Sequence, residues 1–201
     1  MISPAPTLPT LFPDLGSRHV ATLRSALSLF TRKGYFSTSI QDIGSAAQVS
    51  VGFMYHHFSD KQGIARALYG HLLARMNELL DEIEARHATA RERCRAVIEM
   101  LFNLAEFDPE SMAFVVHARH QEFLPDEPSI CSSTPFVRMR EFVFQGIERG
   151  EIHGATPIVA ASMMYGGAIR MVCLRLDDVI REPLNTYLEE LWNSTWRSLA
   201  E

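Results

Sequence analysis

The sequence predicts an all-α fold of about nine helices, in which a small N-terminal three-helix domain precedes a larger helical one. Three observations carry this reading. Apolar residues recur at i, i+3, i+4 and i+7 along nearly the whole chain, helix caps and breakers punctuate those runs, and no convincing period-2 segment or hairpin turn interrupts them.

From Ser17, the residues Val20, Leu23, Ala26, Leu27 and Phe30 keep helical register, and Arg32-Lys33-Gly34 closes the helix with cations and a glycine. Thr38 with Gln41 has the spacing of a capping box for a short second helix ending near Ala47, and Gln48-Val49-Ser50 makes a turn. Ser50 caps a third helix through His57, and Ser59 with Gln62 has the spacing of another box. The long helix beyond it aligns Ile64, Leu68, Leu72, Met76, Leu79, Leu80 and Ile83. A polar stretch from Glu84 to Arg95 holds the next connection, and apolar spacing resumes at Val97. Asp108-Pro109-Glu110 is a helix start with an acid at the cap and proline in the first turn. Pro125 to Pro135 is a loop, and Pro135 starts a helix that Gly150 ends. Thr156-Pro157 opens a helix to about Leu176, and the last begins near Glu182-Pro183 with Leu184, Leu188, Leu191, Trp192, Thr195 and Leu199 in register. The domains expected are a disordered or loosely ordered arm over 1–16, the small domain over 17–66 and the large one over 67–201.

With 47% apolar and 21% charged residues, the 201-residue chain can bury a core. The start of the chain lacks the pattern of a signal peptide, and no uninterrupted apolar run approaches the roughly 18 residues of a membrane helix. Cys94, Cys131 and Cys173 form no Cys-x-x-Cys pair, which fits a reducing cytoplasm and argues against a disulfide framework or zinc site. Nothing in the sequence calls for a cofactor. Gly-x-Ser-x-Gly, a phosphate loop and His-Glu-x-x-His are all missing, so an enzyme is the weaker reading.

The net charge of −5 is unevenly divided. Residues 17–70 hold six Lys/Arg against two acids, a balance of +4, whereas residues 71–201 hold thirteen against twenty-one, a balance of −8. The basic segment contains the two short helices. Ile40, Ile43, Ala47 and Val49 are spaced to seal the first against the second through Met54, with Phe58 beneath. That arrangement leaves Ser50, Val51, Gly52, Phe53, Tyr55, His56 and His57 on or near the outer side. A recognition helix places such N-terminal residues in the major groove while flanking donors hold phosphates. Ser50, Val51, Gly52, Phe53, Tyr55 and His56 are therefore candidate base contacts, and Thr38, Tyr55, His57 and Lys61 candidate phosphate contacts.

Residues from about Ala21 to Leu72 resemble the DNA-binding domain of the TetR family of bacterial transcriptional regulators. The resemblance rests on Ala26-Leu27-Ser28-Leu29-Phe30, Gly34-Tyr35, Thr38-Ser39, Asp42-Ile43, Ala47, Val49-Ser50, Gly52, Tyr55-His56-His57-Phe58 and Lys61. It implies a homodimer that represses by binding a palindromic double-stranded operator, and a small apolar or amphipathic effector that releases it. An effector-independent DNA-binding protein and a metal-responsive regulator are the alternatives. Three positions depart from the family pattern. Gln48 stands where glycine is common and must tolerate a left-handed or distorted backbone. Val51 replaces a polar residue, and Phe53 a small one. Both can pack on thymine methyls, which predicts thymine-containing steps near the centre of each half-site.

In the acidic segment, Met100, Phe114, His117, His120, Phe144, Met164 and Tyr165 are candidate effector-pocket residues, because adaptable Met and aromatic side chains line apolar sites and a few polar groups orient the ligand. His117-x-x-His120 with Glu122 also has metal-ligand spacing, but a polar stripe with Arg119 explains it better and no metal is assigned. Small residues beside apolar ridges allow close helix packing, and the resemblance assigns the last two helices to a four-helix dimer interface. The candidates are Ala160, Met164, Gly167, Ala168, Met171, Leu184, Leu188, Leu191 and Trp192, with burial inside one subunit as the alternative.

Overall fold

The computed structural model describes residues 15–200; most of the proline-rich arm expected over 1–16 lies outside them. Among the described residues there are ten α-helices and no strand. They are α1 (Ser17–Lys33), α2 (Ile40–Ala47), α3 (Val51–Phe58), α4 (Lys61–Arg86), α5 (Ala90–Phe107), α6 (Pro109–His117), α7 (His120–Phe123), α8 (Thr134–Glu148), α9 (Pro157–Leu176) and α10 (Leu188–Ala200), with 3-10 turns at Ile130–Ser132 and Leu184–Tyr187. The chain divides into two compact units between Arg75 and Met76, inside α4.

In the first unit α1 packs against α2, and α2 against α3. Leu23, Ala26, Leu27 and Phe30 of α1 are buried, as are Ile40, Ile43, Val49 and Met54 around the short helices. Gly34 ends α1 at φ 83°, and its N–H donates to the carbonyl of Phe30. The caps differ from the sequence expectation by one residue each. The box on α2 pairs Ser39 with Asp42, not Thr38 with Gln41: the Asp42 N–H donates to Ser39 Oγ (3.0 Å), and the Ser39 N–H to Asp42 Oδ2 (2.9 Å). Thr38 is instead buried, its hydroxyl donating to the Gly34 carbonyl at 2.9 Å. At α4 the capping oxygen is Asp60 Oδ1, which accepts from the Gly63 N–H at 2.6 Å, while Ser59 takes a left-handed φ of 67° that terminates α3.

In the second unit one core joins the C-terminal half of α4 to α5, α8, α9 and α10 through Leu80, Leu101, Phe102, Phe142, Val143, Met164, Val172 and Trp192. α5 begins earlier than its first strongly apolar stretch. Thr89 and Glu92 form a capping box, and the Glu151 carboxylate accepts from the Ala90 and Arg91 N–H groups (3.2 and 3.1 Å). Asp108 caps α6 as expected, accepting from the Ser111 N–H. Extended backbone at Ala118 (ψ 132°) then separates α6 from α7, which raises the helix number above the expected nine. Arg138 of α8 ties to α4 through Asp81 (2.7 Å), Glu84 (3.1 Å) and the Asn77 carbonyl. Arg175 of α9 meets Glu106, which also accepts the Leu184 N–H and so fixes the turn before α10.

α9 is apolar around most of its circumference. Ala160, Ala161, Met164, Tyr165, Ala168 and Val172 face the core, while Ile158 (59% exposed), Val159 (48%) and Met163 (41%) do not. By length and composition it is the one helix among the described residues apolar enough to cross a membrane. Arg170 and Arg175 interrupt it, and its inner face is already committed to the core.

Candidate nucleic-acid interface

The interface is built on a turn that forces two short helices together. Gln48 ends α2 in the left-handed region (φ 54°, ψ 40°), the conformation expected of that position, and its N–H donates to the Gly44 carbonyl. A Cβ at Gly44 would lie 2.8 Å from the Met54 methyl and 3.0 Å from the Val49 carbonyl oxygen, so the helices meet where a side chain is missing. Ser50 caps α3, its Oγ accepting from the Phe53 N–H at 3.2 Å.

Met54 is the buried residue of α3, and the rest of the helix turns outward. Ser50, Gly52, Tyr55, His56 and His57 are exposed, Tyr55 at 51%, and a Cβ at Gly52 would touch nothing within 4 Å. Val51 and Phe53 are half-buried. Phe53 is not a free wedge, because its ring lies 4.2 Å from His57, 5.0 Å from His19 of α1, and beneath the Arg18 guanidinium at 4.8 Å.

Lys61 has a role that sequence spacing did not disclose. Its Nζ donates to the carbonyls of Tyr35 (2.9 Å) and Thr38 (2.8 Å) and stands 4.2 Å over the Tyr35 ring. The ammonium thus fastens the α1–α2 connection to the start of α4, retaining one N–H for an outside acceptor. Desolvation pushes its pKa below the usual lysine range. The Asp42 carboxyl is held low chiefly by the Ser39 N–H, then by the Ser39 hydroxyl. Of the four candidate phosphate donors, Tyr55, His57 and Lys61 reach the surface, whereas Thr38 is turned inward.

The candidates in the second unit divide differently. Met100, Met164 and Tyr165 lie in the core, with Phe144 packed partly against it. Tyr165 donates to the Met139 carbonyl at 3.0 Å and lies 3.3 Å from Cys94 Sγ. Burial pushes the Cys94 thiol up to about 12. Phe114, His120 and Phe123 form an aromatic group, His120 being edge-on to Phe114 at 4.9 Å, and desolvation pushes its imidazole down to about 4. His117 is exposed, with Nε2 3.8 Å from Asp177 Oδ1, and the break at Ala118 puts the two imidazoles on different helices. Among the described residues, no three His, Cys, Asp or Glu side chains gather as a metal would require.

Of the candidate dimer residues, Ala160, Met164, Ala168, Leu184, Leu188 and Trp192 are buried within the chain itself. Met171 and Leu191 are half-buried, and Gly167 is exposed. The surface that α9 turns outward consists of Pro157, Ile158, Val159, Ser162, Met163, Gly166, Gly167 and Arg170. Residue type alone could not choose between two apolar faces.

A capped pair of short helices around a left-handed turn, with the second helix turned outward, defines a helix-turn-helix DNA-binding domain. Residues 23–68 match the family model described as bacterial regulatory proteins of the tetR family. Over these residues the chain thus carries a DNA-binding domain like that of the tetR family of bacterial regulatory proteins. A similar curated protein is the HTH-type transcriptional regulator BetI of Brucella anthropi, 29% identical over 102 residues that cover 49% of this chain and 53% of that protein. The chain spans about half the length of the first curated relatives it matches. A TetR family transcription regulator from Marinobacter aquaeolei VT8 superposes with a TM-score of 0.75 at 20% identity, over 92% of this chain and 96% of the other. The transcriptional regulator FadR from Bacillus subtilis, in complex with stearoyl-CoA, gives 0.70 at 21% identity, covering 88% and 97%. At these identities the two structures speak for the fold alone.

Proposed function

We propose that the chain is a dimeric repressor of the cytoplasm that binds a palindromic operator and is released by a small apolar or amphipathic effector. The observation that carries the DNA-binding half is α3, whose Ser50, Gly52, Tyr55, His56 and His57 are exposed while Met54 is buried beneath them. Tyr55, His57 and the remaining Lys61 N–H hold phosphates. Thr38 acts indirectly, fixing the loop that Lys61 grips. Ser50, Val51, Gly52 and Tyr55 meet base edges, with His56 at the margin. Phe53 contributes the edge of a ring that is already packed.

Dimerisation uses the outward face of α9, where Ile158, Val159 and Met163 flank Gly166 and Gly167. Three exposed large apolar residues beside two glycines favour close approach of a second helix. The effector domain extends from the middle of α4 to the C-terminus. Phe114, His120 and Phe144 are the pocket residues the reading retains, with a neutral His120 able to orient a ligand. Because the Bacillus subtilis structure holds stearoyl-CoA, long-chain acyl thioesters are the first effectors to test.

Footprinting on DNA flanking the chain's own gene tests the reading. A symmetric protected site, its half-sites ~34–36 Å apart or a multiple of that, is expected. Failure to protect any such DNA as a dimer in sedimentation would sink it. Titration of acyl-CoAs against the complex then examines release, which requires unequal affinity for the DNA-competent and incompetent states.

A further inference from the structure

The first unit carries an imidazole cluster that spans two helices. His19 of α1 and His57 of α3 lie edge-on with ring centroids 4.5 Å apart, and His19 also meets the edge of Phe58 at 5.6 Å. His56 stands 4.8 Å from His57. Phe53 fills the space between, with the Arg18 guanidinium over its face. His56, His57 and Arg18 are exposed, and His19 is half-exposed.

The charged or titratable groups acting on His57 are His19 and Arg18 from α1 and His56 from its own helix. All are cationic or become so on protonation. Desolvation, followed by repulsion from these three groups, holds the His57 imidazole below its ordinary range. Once protonated, the three imidazoles would oppose one another and Arg18 at such spacing, and a polyanion would relieve that opposition. This cluster adjoins the outward face of α3, so α1 presents Arg18 and His19 beside the recognition helix.

We propose that Arg18 and His19 extend the DNA-binding surface onto α1, and that His57, edge-on to His19, takes up a proton when this surface closes on backbone phosphates. The proposal rests on the DNA-binding reading. Protonation is favoured in the bound state, so affinity is greatest at low pH and falls as pH rises through the imidazole range. One linked proton changes the binding constant by up to about tenfold per pH unit between the free and bound midpoints. Arg18 stays charged throughout, so its contribution appears in the salt dependence instead.

The test is fluorescence anisotropy of the full chain on a short duplex of arbitrary sequence, which isolates phosphate contacts, between about pH 6 and pH 8. Wild-type binding should be roughly tenfold tighter at the lower pH, and the double variant His19→Gln/His57→Gln should respond little. Arg18→Gln should keep the pH response and reduce the slope of log affinity on log salt by about one. A pH-independent wild type, or an undiminished response in the double variant, overturns the proposal. Imidazole C–H resonances of the wild type provide a readout free of substitutions: the His57 midpoint should rise on adding duplex, and an unmoved midpoint refutes the idea. Binding without pH linkage defeats this proposal alone; no binding at any pH defeats the DNA-binding reading with it.

Discussion

The two units of the chain are held together by different means. The DNA-binding unit sets two eight-residue helices against an apolar core from α1 and the start of α4, and holds their ends with caps and polar fasteners: Ser39 with Asp42, Ser50, Asp60, and Lys61 on two backbone carbonyls. The second unit has long helices around one large apolar core, in which Leu101, Phe102, Phe142 and Val143 are essentially inaccessible to solvent. Backbone fasteners demand particular residues at particular positions. Core volume can be filled by many combinations of apolar residues. The first unit consequently has a readable signature, and the second does not.

Substitutions that remove one kind of support should damage one unit. The largest effect expected is from Phe142→Ala, which empties a fully buried site and should cost about 4 kcal/mol in the second unit. Hydrogen exchange should quicken over α5 and α8. Equal acceleration over α1–α3 would erase the distinction between the units.

Gly63→Ala comes next. Its Cβ would sit 1.8 Å from the Phe58 carbonyl oxygen, a backbone group with nowhere to go. A loss of about 3 kcal/mol in the first unit is expected, together with loss of DNA binding. Full retention of both, in thermal melts and anisotropy, would show that the α3–α4 junction yields to an added methyl group. Lys61→Met should cost about 2 kcal/mol, because two carbonyls lose a charged donor and the methionine can replace only the packing on Tyr35. Denaturant titration measures this, and a neutral result would reduce Lys61 to a surface charge.

The smallest effects compare one device in both places. Ser39→Ala and Thr89→Ala each delete a capping hydroxyl, a change of about 1 kcal/mol. In the first unit that loss should measurably weaken DNA binding, while the second unit, where Glu151 also caps α5, should absorb most of it. The Asp42 carboxyl has a lowered pKa in the fold, so its contribution is present above the ordinary carboxylate range and disappears as pH falls through the lower folded value. Acid titration of Asp42→Asn against wild type should show that increment missing. Superimposable acid profiles would show that the Asp42 carboxylate does not stabilise the fold.

Much of the first unit was legible because turn, cap and aromatic positions recur at fixed offsets. The left-handed Gln48, buried Met54 and outward Tyr55 follow from that pattern. The one-residue cap errors have a physical source. Thr38-x-x-Gln41 and Ser39-x-x-Asp42 both satisfy the spacing, and the choice between them depends on Thr38 finding an interior acceptor. Arg18 and His19 were missed as site residues because only tertiary folding brings them to α3, more than thirty positions away. In α9 the sequence is apolar on both sides, so periodicity could not distinguish the core face from the face left outward. The separation of His117 from His120 depends on one extended residue, Ala118, which has no sequence cue of its own.

The junction between α3 and α4 has a mechanical consequence. Only Ser59 and Asp60 lie between the helices, one held left-handed and the other fastened to the Gly63 N–H. A joint that short, with both members pinned, has no slack. The recognition helix therefore moves as an extension of the first turns of α4, like a blade fixed to its handle, and cannot swivel independently to correct a poor approach to the groove.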